Sequence, residues 1–179
     1  VDGPTSRRMF ALGEAATKKN LKVGVGLMSR HSRALAELAK RVQDGEIGDI
    51  VTLRAYRMHG PVGYKPRELG MSELAHQINN YSNFTWLNGS FIVDWLIHNI
   101  DICCWIKDAW PVSAHGVGGR FAGSTDASQN LDSYSIEYTF ANGAKALVTG
   151  RYVPNCHDDF ATFVHGTKCA AKFSGNVHA

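Results

Sequence analysis

Residues 88–107, NGSFIVDWLIHNIDICCWIK, read as a helix that is apolar almost all round, a pattern that belongs inside a core rather than on a surface. Three ionisable side chains interrupt it: Asp94, His98 and Asp101. At spacings of four and three they fall within an arc of roughly 60° on a helix. A buried helix carries such a stripe only where the charges are paired, hydrogen-bonded or put to chemical use, because an unpaired buried charge is costly. The rest of the chain therefore has to cover this helix while keeping its stripe partnered or open to a ligand.

The segments around it supply that cover. Residues 5–19 have Met9, Phe10, Leu12 and Ala16 on one face and read as a surface helix. Residues 21–27, rich in valine and glycine, read as a buried strand directly after it. Helix followed by buried strand suggests the closing unit of a parallel sheet. Residues 32–42 repeat Leu35, Leu38, Ala39 and Val42 as a second helix, ended by Gly45 and Gly48. Residues 49–60 alternate as a strand with Leu53, Ala55 and Arg57 on one face and Arg54 and Tyr56 on the other. Residues 60–88 show no long periodicity and read as a substrate-facing loop. Beyond the helix, residues 111–121 read as a strand, and 132–140 and 144–153 as a hairpin around Ala141-Asn142-Gly143. A second hairpin joins 160–166 to 167–175. The fold class expected is α/β (α+β): a mostly antiparallel open sheet with helices on one face, plus the helix–strand unit at the start.

Charge and cysteine content narrow the function classes. The 19 basic and 16 acidic residues leave a net charge of only +3, and the basic clusters are the pairs Arg7-Arg8 and Lys18-Lys19. A nucleic-acid surface needs a dense basic face, so none is expected. Cys103 and Cys104 are adjacent within the helix, and with Cys156 and Cys169 they show no regular disulfide or zinc spacing. Free thiols in a reducing compartment, hence the cytoplasm, are the expectation. No apolar run is read as reaching the roughly 18 residues of a membrane span, and no signal-peptide pattern opens the chain. A start at Val1-Asp2 without methionine reads as an excerpt of a longer protein.

Chemically, Asp94 and His98 have the makings of an acid/base pair, with the imidazole taking a proton and the carboxylate orienting it. A helix-start aspartate and a satisfied core histidine give the same spacing, and the residues alone leave both readings open. The Asp94 charge favours protonated His98 while burial opposes it, and the sequence does not sign the balance. Asp101 reads as a supporting partner. Asp, His and Asp are acceptable metal ligands, but no further ligand follows at diagnostic spacing, so no metal is expected. His157-Asp158-Asp159 reads as a solvated turn. Gly24-Val25-Gly26 begins the dinucleotide pattern GxGxxG but has Ser29 where the third glycine belongs, so it is read as a close-packing feature.

The segments VDGPTSRRMF through LKVGVGLMSRH, then DGEIGDI, then NFTWLNGSFIVDWLIHNIDICCWIKDAWPVSAHGVGGR resemble the Gfo/Idh/MocA oxidoreductase family. The most specific part is Asp94-x3-His98-x2-Asp101, followed by a tryptophan-bearing helix end, a proline-led strand and Gly118-Gly119-Arg120. The resemblance implies a Rossmann domain paired with a sheet-rich substrate domain, with residues 1–30 the remnant of the former and 31–179 the latter, cut short at its end. It implies NAD or NADP as cofactor, bound mostly outside this chain, since the family's Glu-Lys-Pro motif would fall just before Val1. It further implies His98 as the acid/base group in hydride transfer at a carbohydrate or cyclitol hydroxyl, with Asp94 orienting it. Arg30, Asn80, Tyr81 and Trp86 are candidate substrate or cofactor neighbours, polar and aromatic groups suited to sugars. The expected partners are a small sugar-like substrate and a second copy of the chain paired through the sheet, with neither nucleic acid nor membrane. The chain alone is expected to be inactive. Two alternatives stand beside the dehydrogenase: an NAD-dependent glycosidase of the same family, and a non-catalytic binding or assembly module.

Overall fold

A computed structural model of the chain describes residues 2–121 and 127–175. Its six strands are Ile50–His59 (β1), Ser113–Gly119 (β2), Ser133–Thr139 (β3), Lys145–Tyr152 (β4), Asp159–Gly166 (β5) and Ala170–Ser174 (β6). They form one open sheet in the order β2-β3-β4-β1-β5-β6. β1 runs parallel to β4, and every other ladder is antiparallel. The two-residue alternation read from the sequence sets the faces. Leu53 and Ala55 of β1 lie level with Ala146 and Val148 of β4, and Leu53 with Val164 of β5, all fully buried under the helices. The other face carries Arg54, Tyr56, Leu147 and Phe163, and among the described residues no helix packs over it.

The β3–β4 hairpin differs in detail from the tight turn that Asn-Gly suggests. Gly143 alone takes a left-handed φ, at 86°, and the Phe140 carbonyl accepts from Gly143 N at 2.9 Å while Phe140 N donates to the Ala144 carbonyl at 2.9 Å. This is a longer loop closed by a left-handed glycine, the hairpin connection next in frequency to the two-residue turns.

The covering layer is built from the helix Arg33–Gln43 (α2) and the long helix expected at 88–107. Ser32 caps α2 by accepting from Leu35 N, and Leu35, Ala39 and Val42 are buried. The long helix is interrupted. A short helical turn, Thr85–Asn88, ends at Gly89 (φ 76°) and Ser90 (φ 74°); the chain then enters a π turn, Ile92–Leu96, and continues as a helix over Ile97–Lys107. The wide π turn changes the helical phase at Asp94, and such turns recur at functional sites. Asn99, fully buried, donates to the Tyr56 and Ala161 carbonyls at 3.2 Å each and to Thr162 Oγ1 at 3.1 Å, tying the helix to β1 and β5.

Three expectations are corrected. Residues 21–27 form neither helix nor strand, with Leu21, Val23 and Val25 exposed: a strand needs a neighbour to bond with, and none of the six described strands lies beside this segment. The preceding helix, Gly3–Lys18 (α1), is capped by Asp2 accepting from Thr5 N at 2.8 Å, yet buries none of its residues. Residues 60–88 are no single loop, since they hold the helix Glu73–Asn79, capped by Ser72, and a 3-10 turn, Tyr81–Asn83. Finally, Thr85–Lys107 spans 23 residues with mean hydropathy 1.2 over its most apolar stretch, long and apolar enough to cross a bilayer by those two measures. Here it is broken at Gly89 and packs on the sheet, with Ile102, Cys103 and Ile106 in the core.

Candidate active site

The buried helix, the sheet and the 60–88 region meet at an open-mouthed cavity of about 330 Å³. The helix contributes Asp94, Trp95 and His98, and β1 contributes Arg57. Tyr81 and Ser82 come from the 3-10 turn, and Met28 and Val62 complete the wall. Larger hollows of about 380 and 610 Å³ lie elsewhere, beside Gln43 and Lys107 and on the open face beside Val117 and Thr149. Neither contains any part of the ionisable stripe.

His98 is half-buried, and its Nδ1 is fully covered with no hydrogen-bond partner. Burial, and next the nearby Arg57 charge, push its pKa below the usual histidine value, against smaller opposing contributions from Asp101 and Asp94. This signs the balance that the sequence leaves open: desolvation wins, and the imidazole is neutral near pH 7. Asp94 acts on it as a nearby charge, and no hydrogen bond joins the two.

Asp101, the third member of the stripe, faces away from the cavity into an ion pair. Arg30 Nε donates to Asp101 Oδ1 and Oδ2 at 3.0 and 2.9 Å and its Nη2 to Oδ1 at 2.9 Å, with the guanidinium over the Trp105 ring at 5.2 Å. The 3-10 turn Met28–His31 is thereby fastened to the helix. With both Asp101 oxygens engaged, Asp94, His98 and Asp101 do not converge on a common centre, and among the described residues no cluster of metal-ligating side chains forms.

Of the remaining candidates, only Tyr81 lines the cavity. Asn80 is buried and clasps the loop: its Oδ1 accepts from Lys65 N at 2.8 Å, and its Nδ2 donates to the Lys65 and His76 carbonyls at 3.1 and 3.0 Å. Trp86 is half-exposed and donates through Nε1 to Gln77 Oε1 at 2.7 Å. Arg30 serves the ion pair. Sequence reading passed over Arg57, Trp95 and Ser82. For Arg57 a signal existed, since its alternation with Leu53 and Ala55 puts a cation on the buried face of a central strand.

Residues 35–172 match the model of the GFO/IDH/MocA C-terminal domain. The chain belongs to this family. Among solved structures of the same fold, a Sinorhizobium meliloti 1021 protein assigned provisionally as a myo-inositol dehydrogenase superposes with a TM-score of 0.71 at 20% identity, covering 94% of this chain and 46% of that one. Myo-inositol 2-dehydrogenase from Lactobacillus plantarum gives 0.66 at 21% identity, covering 86% and 42%. A super-repressor mutant of Gal80p from Saccharomyces cerevisiae gives 0.70 at 17% identity, covering 93% and 44%. This GFO/IDH/MocA domain thus spans less than half the length of these proteins. No curated protein matches the chain in sequence. The matched region holds the whole buried helix and strands β1 to β5, so Arg57, Asp94 and His98 all lie within the family domain.

Proposed function

We propose that this domain supplies the substrate-binding and acid/base half of an NAD(P)-dependent oxidoreductase acting on a carbohydrate or cyclitol hydroxyl. Residues 1–30 belong, on this reading, to the dinucleotide-binding unit, and 31–179 to the substrate and assembly unit. The single observation that carries it is His98: a neutral imidazole in an open cavity, its Nδ1 buried and orphaned, beside Asp94 and Tyr81. Family membership, together with a myo-inositol 2-dehydrogenase and a UDP-N-acetylglucosamine 3-dehydrogenase of the same fold, favours this substrate class.

The chain's own residues fit the ring end of a nicotinamide dinucleotide, because Met28 and Trp95 offer apolar surface beside His98. They do not supply a phosphate cradle: Gly24-Val25-Gly26 lies outside any helix or strand, and the one helical element that follows it directly is the short turn Met28–His31. A bound nicotinamide would provide the hydride acceptor. His98, neutral, accepts the hydroxyl proton as the carbon loses hydride and becomes a carbonyl. The Asp94 and Asp101 charges favour the resulting imidazolium, while Arg57 and burial keep it acidic enough to return the proton. Tyr81 and Ser82 offer hydroxyls to the sugar. The same residues serve a transient oxidation that ends in glycosidic cleavage, so a glycosidase is retained as a variant.

A second reading is favoured by one observation. The fold also occurs in a super-repressor mutant of Gal80p, so the scaffold alone does not decide between catalysis and binding. We also propose that the helix-free sheet face, with Val117 and Leu147 exposed, pairs with a second copy of the chain, and that four free thiols suit a reducing cytoplasm. The experiment is a screen of the whole protein with polyols, sugars and sugar glycosides for nicotinamide reduction and for glycoside cleavage. Turnover supports an enzyme, and binding of a ligand without any turnover supports the module.

A further inference from the structure

We propose that Arg57 is an anion-binding residue, and that the substrate carries a carboxylate, or a phosphate of equivalent chemistry, beside the carbon that is oxidised. This rests on the reading of the His98 cavity as the substrate site. Arg57 is only 9% exposed, and its Nε is buried without a hydrogen-bond partner. Its guanidinium carbon lies over the Phe160 ring at 4.1 Å and the Trp95 ring at 4.6 Å. Stacking uses the two faces of the guanidinium, whereas its five N–H donors lie in the plane, so the rings hold the group without satisfying it. Among the described residues no carboxylate pairs with it. Asp94 shares the cavity without a salt bridge to Arg57. Asp158 exerts a favourable charge on it but is itself bonded to Arg151 Nη2 at 3.3 Å, with its side chain 61% exposed.

The placement is built into the sheet. Arg57 pairs in register with Gly150 on β4 and Phe160 on β5, so one neighbour has no side chain and the other is a flat ring. A surface lysine or arginine would avoid the desolvation that Arg57 suffers, which lowers its pKa. A rigid, dehydrated fork with unused donors at the wall of a ligand cavity matches the two oxygens of a carboxylate. Hexuronates and aldonates combine that group with the hydroxyls that Tyr81 and Ser82 suit.

The test uses the whole protein and a panel of hexuronates, aldonates, sugar phosphates and the corresponding neutral sugars, read by calorimetry and by kcat/KM. Sugar acids should be preferred over their neutral counterparts by about 10²-fold, and Arg57→Met should abolish most of that ratio, with Arg57→Lys recovering part of it. A preference for the phosphates instead, equally dependent on Arg57, supports the anion site and reassigns its ligand. Because Met removes an uncompensated buried charge, the unfolding midpoint of Arg57→Met should stay equal or rise. A fallen midpoint with an unchanged acid-to-neutral ratio overturns the proposal, as does the lack of any Arg57-dependent preference across the panel. Weakened ADP-ribose binding in Arg57→Met, with sugar-acid binding intact, also overturns it by giving the anion to the cofactor. Arg57-dependent binding of sugar acids with no oxidation of any sugar supports the anion site while contradicting the hydride-transfer reading.

Discussion

Arg57 and His98 face one cavity, and the guanidinium, after burial, is the main influence holding the imidazole below its ordinary pKa. Removing the cation while keeping its bulk, as in Arg57→Met, should therefore raise the His98 pKa. A two-dimensional NMR titration of the imidazole resonances measures this directly. An unchanged or lower pKa in the variant would contradict the electrostatic account.

The same depressed pKa makes folding stability depend on pH with a definite sign. The unfolded chain takes up the His98 proton near the ordinary value of 6.5, before the folded protein does. The contribution of neutral His98 is thus present above that pH and lost as pH falls through 6.5 toward the folded value. Urea unfolding from pH 8 to pH 5 should show this loss in the native sequence and less of it in His98→Asn.

Asp101 and Arg30 form the clasp between the Met28–His31 turn and the buried helix. Arg30 is 42% exposed, so solvent screens much of the pair, while the Asp101 side chain is only 10% exposed. Arg30→Met should cost about 1 kcal/mol, chiefly by leaving a buried carboxylate without its donors. Amide exchange should accelerate at residues 28–31 by more than elsewhere; uniform acceleration would assign the pair no local role.

Gly150 sits where the helix meets β4. A Cβ there would lie 2.8 Å from Phe91 Cε1 and 2.9 Å from Leu96 Cδ1, both side chains fully buried. Gly150→Ala should destabilise the fold by about 1–3 kcal/mol through overpacking, and should displace the π turn that carries Asp94. Chemical denaturation gives the first quantity and a crystal structure the second.

Much of this was legible in the sequence because periodicity reports burial. The alternation of Leu53, Ala55 and Arg57 and the apolar run around Asp94, His98 and Asp101 located β1 and the buried helix, and the family resemblance was carried by the same residues. Tertiary pairing was not legible. Residues 21–27 have a strand's composition but no neighbouring strand, and composition does not supply one. Nor does helical spacing show that Asp101 answers Arg30, 71 positions away, rather than His98. The π turn also escaped detection, since an inserted residue leaves the apolar pattern almost unchanged while shifting the face that Asp94 presents.

The central claim is that His98 moves the substrate proton. It is tested most directly by turnover per folded molecule of His98→Ala in the whole protein, with thermal unfolding measured on the same samples. The account predicts a fall in kcat on the order of 10²- to 10⁴-fold with folding largely intact, and a smaller fall for Asp94→Asn, which keeps the shape but removes the charge favouring imidazolium. Near-normal turnover per folded molecule, with the loss appearing only in the unfolding midpoint, would contradict it.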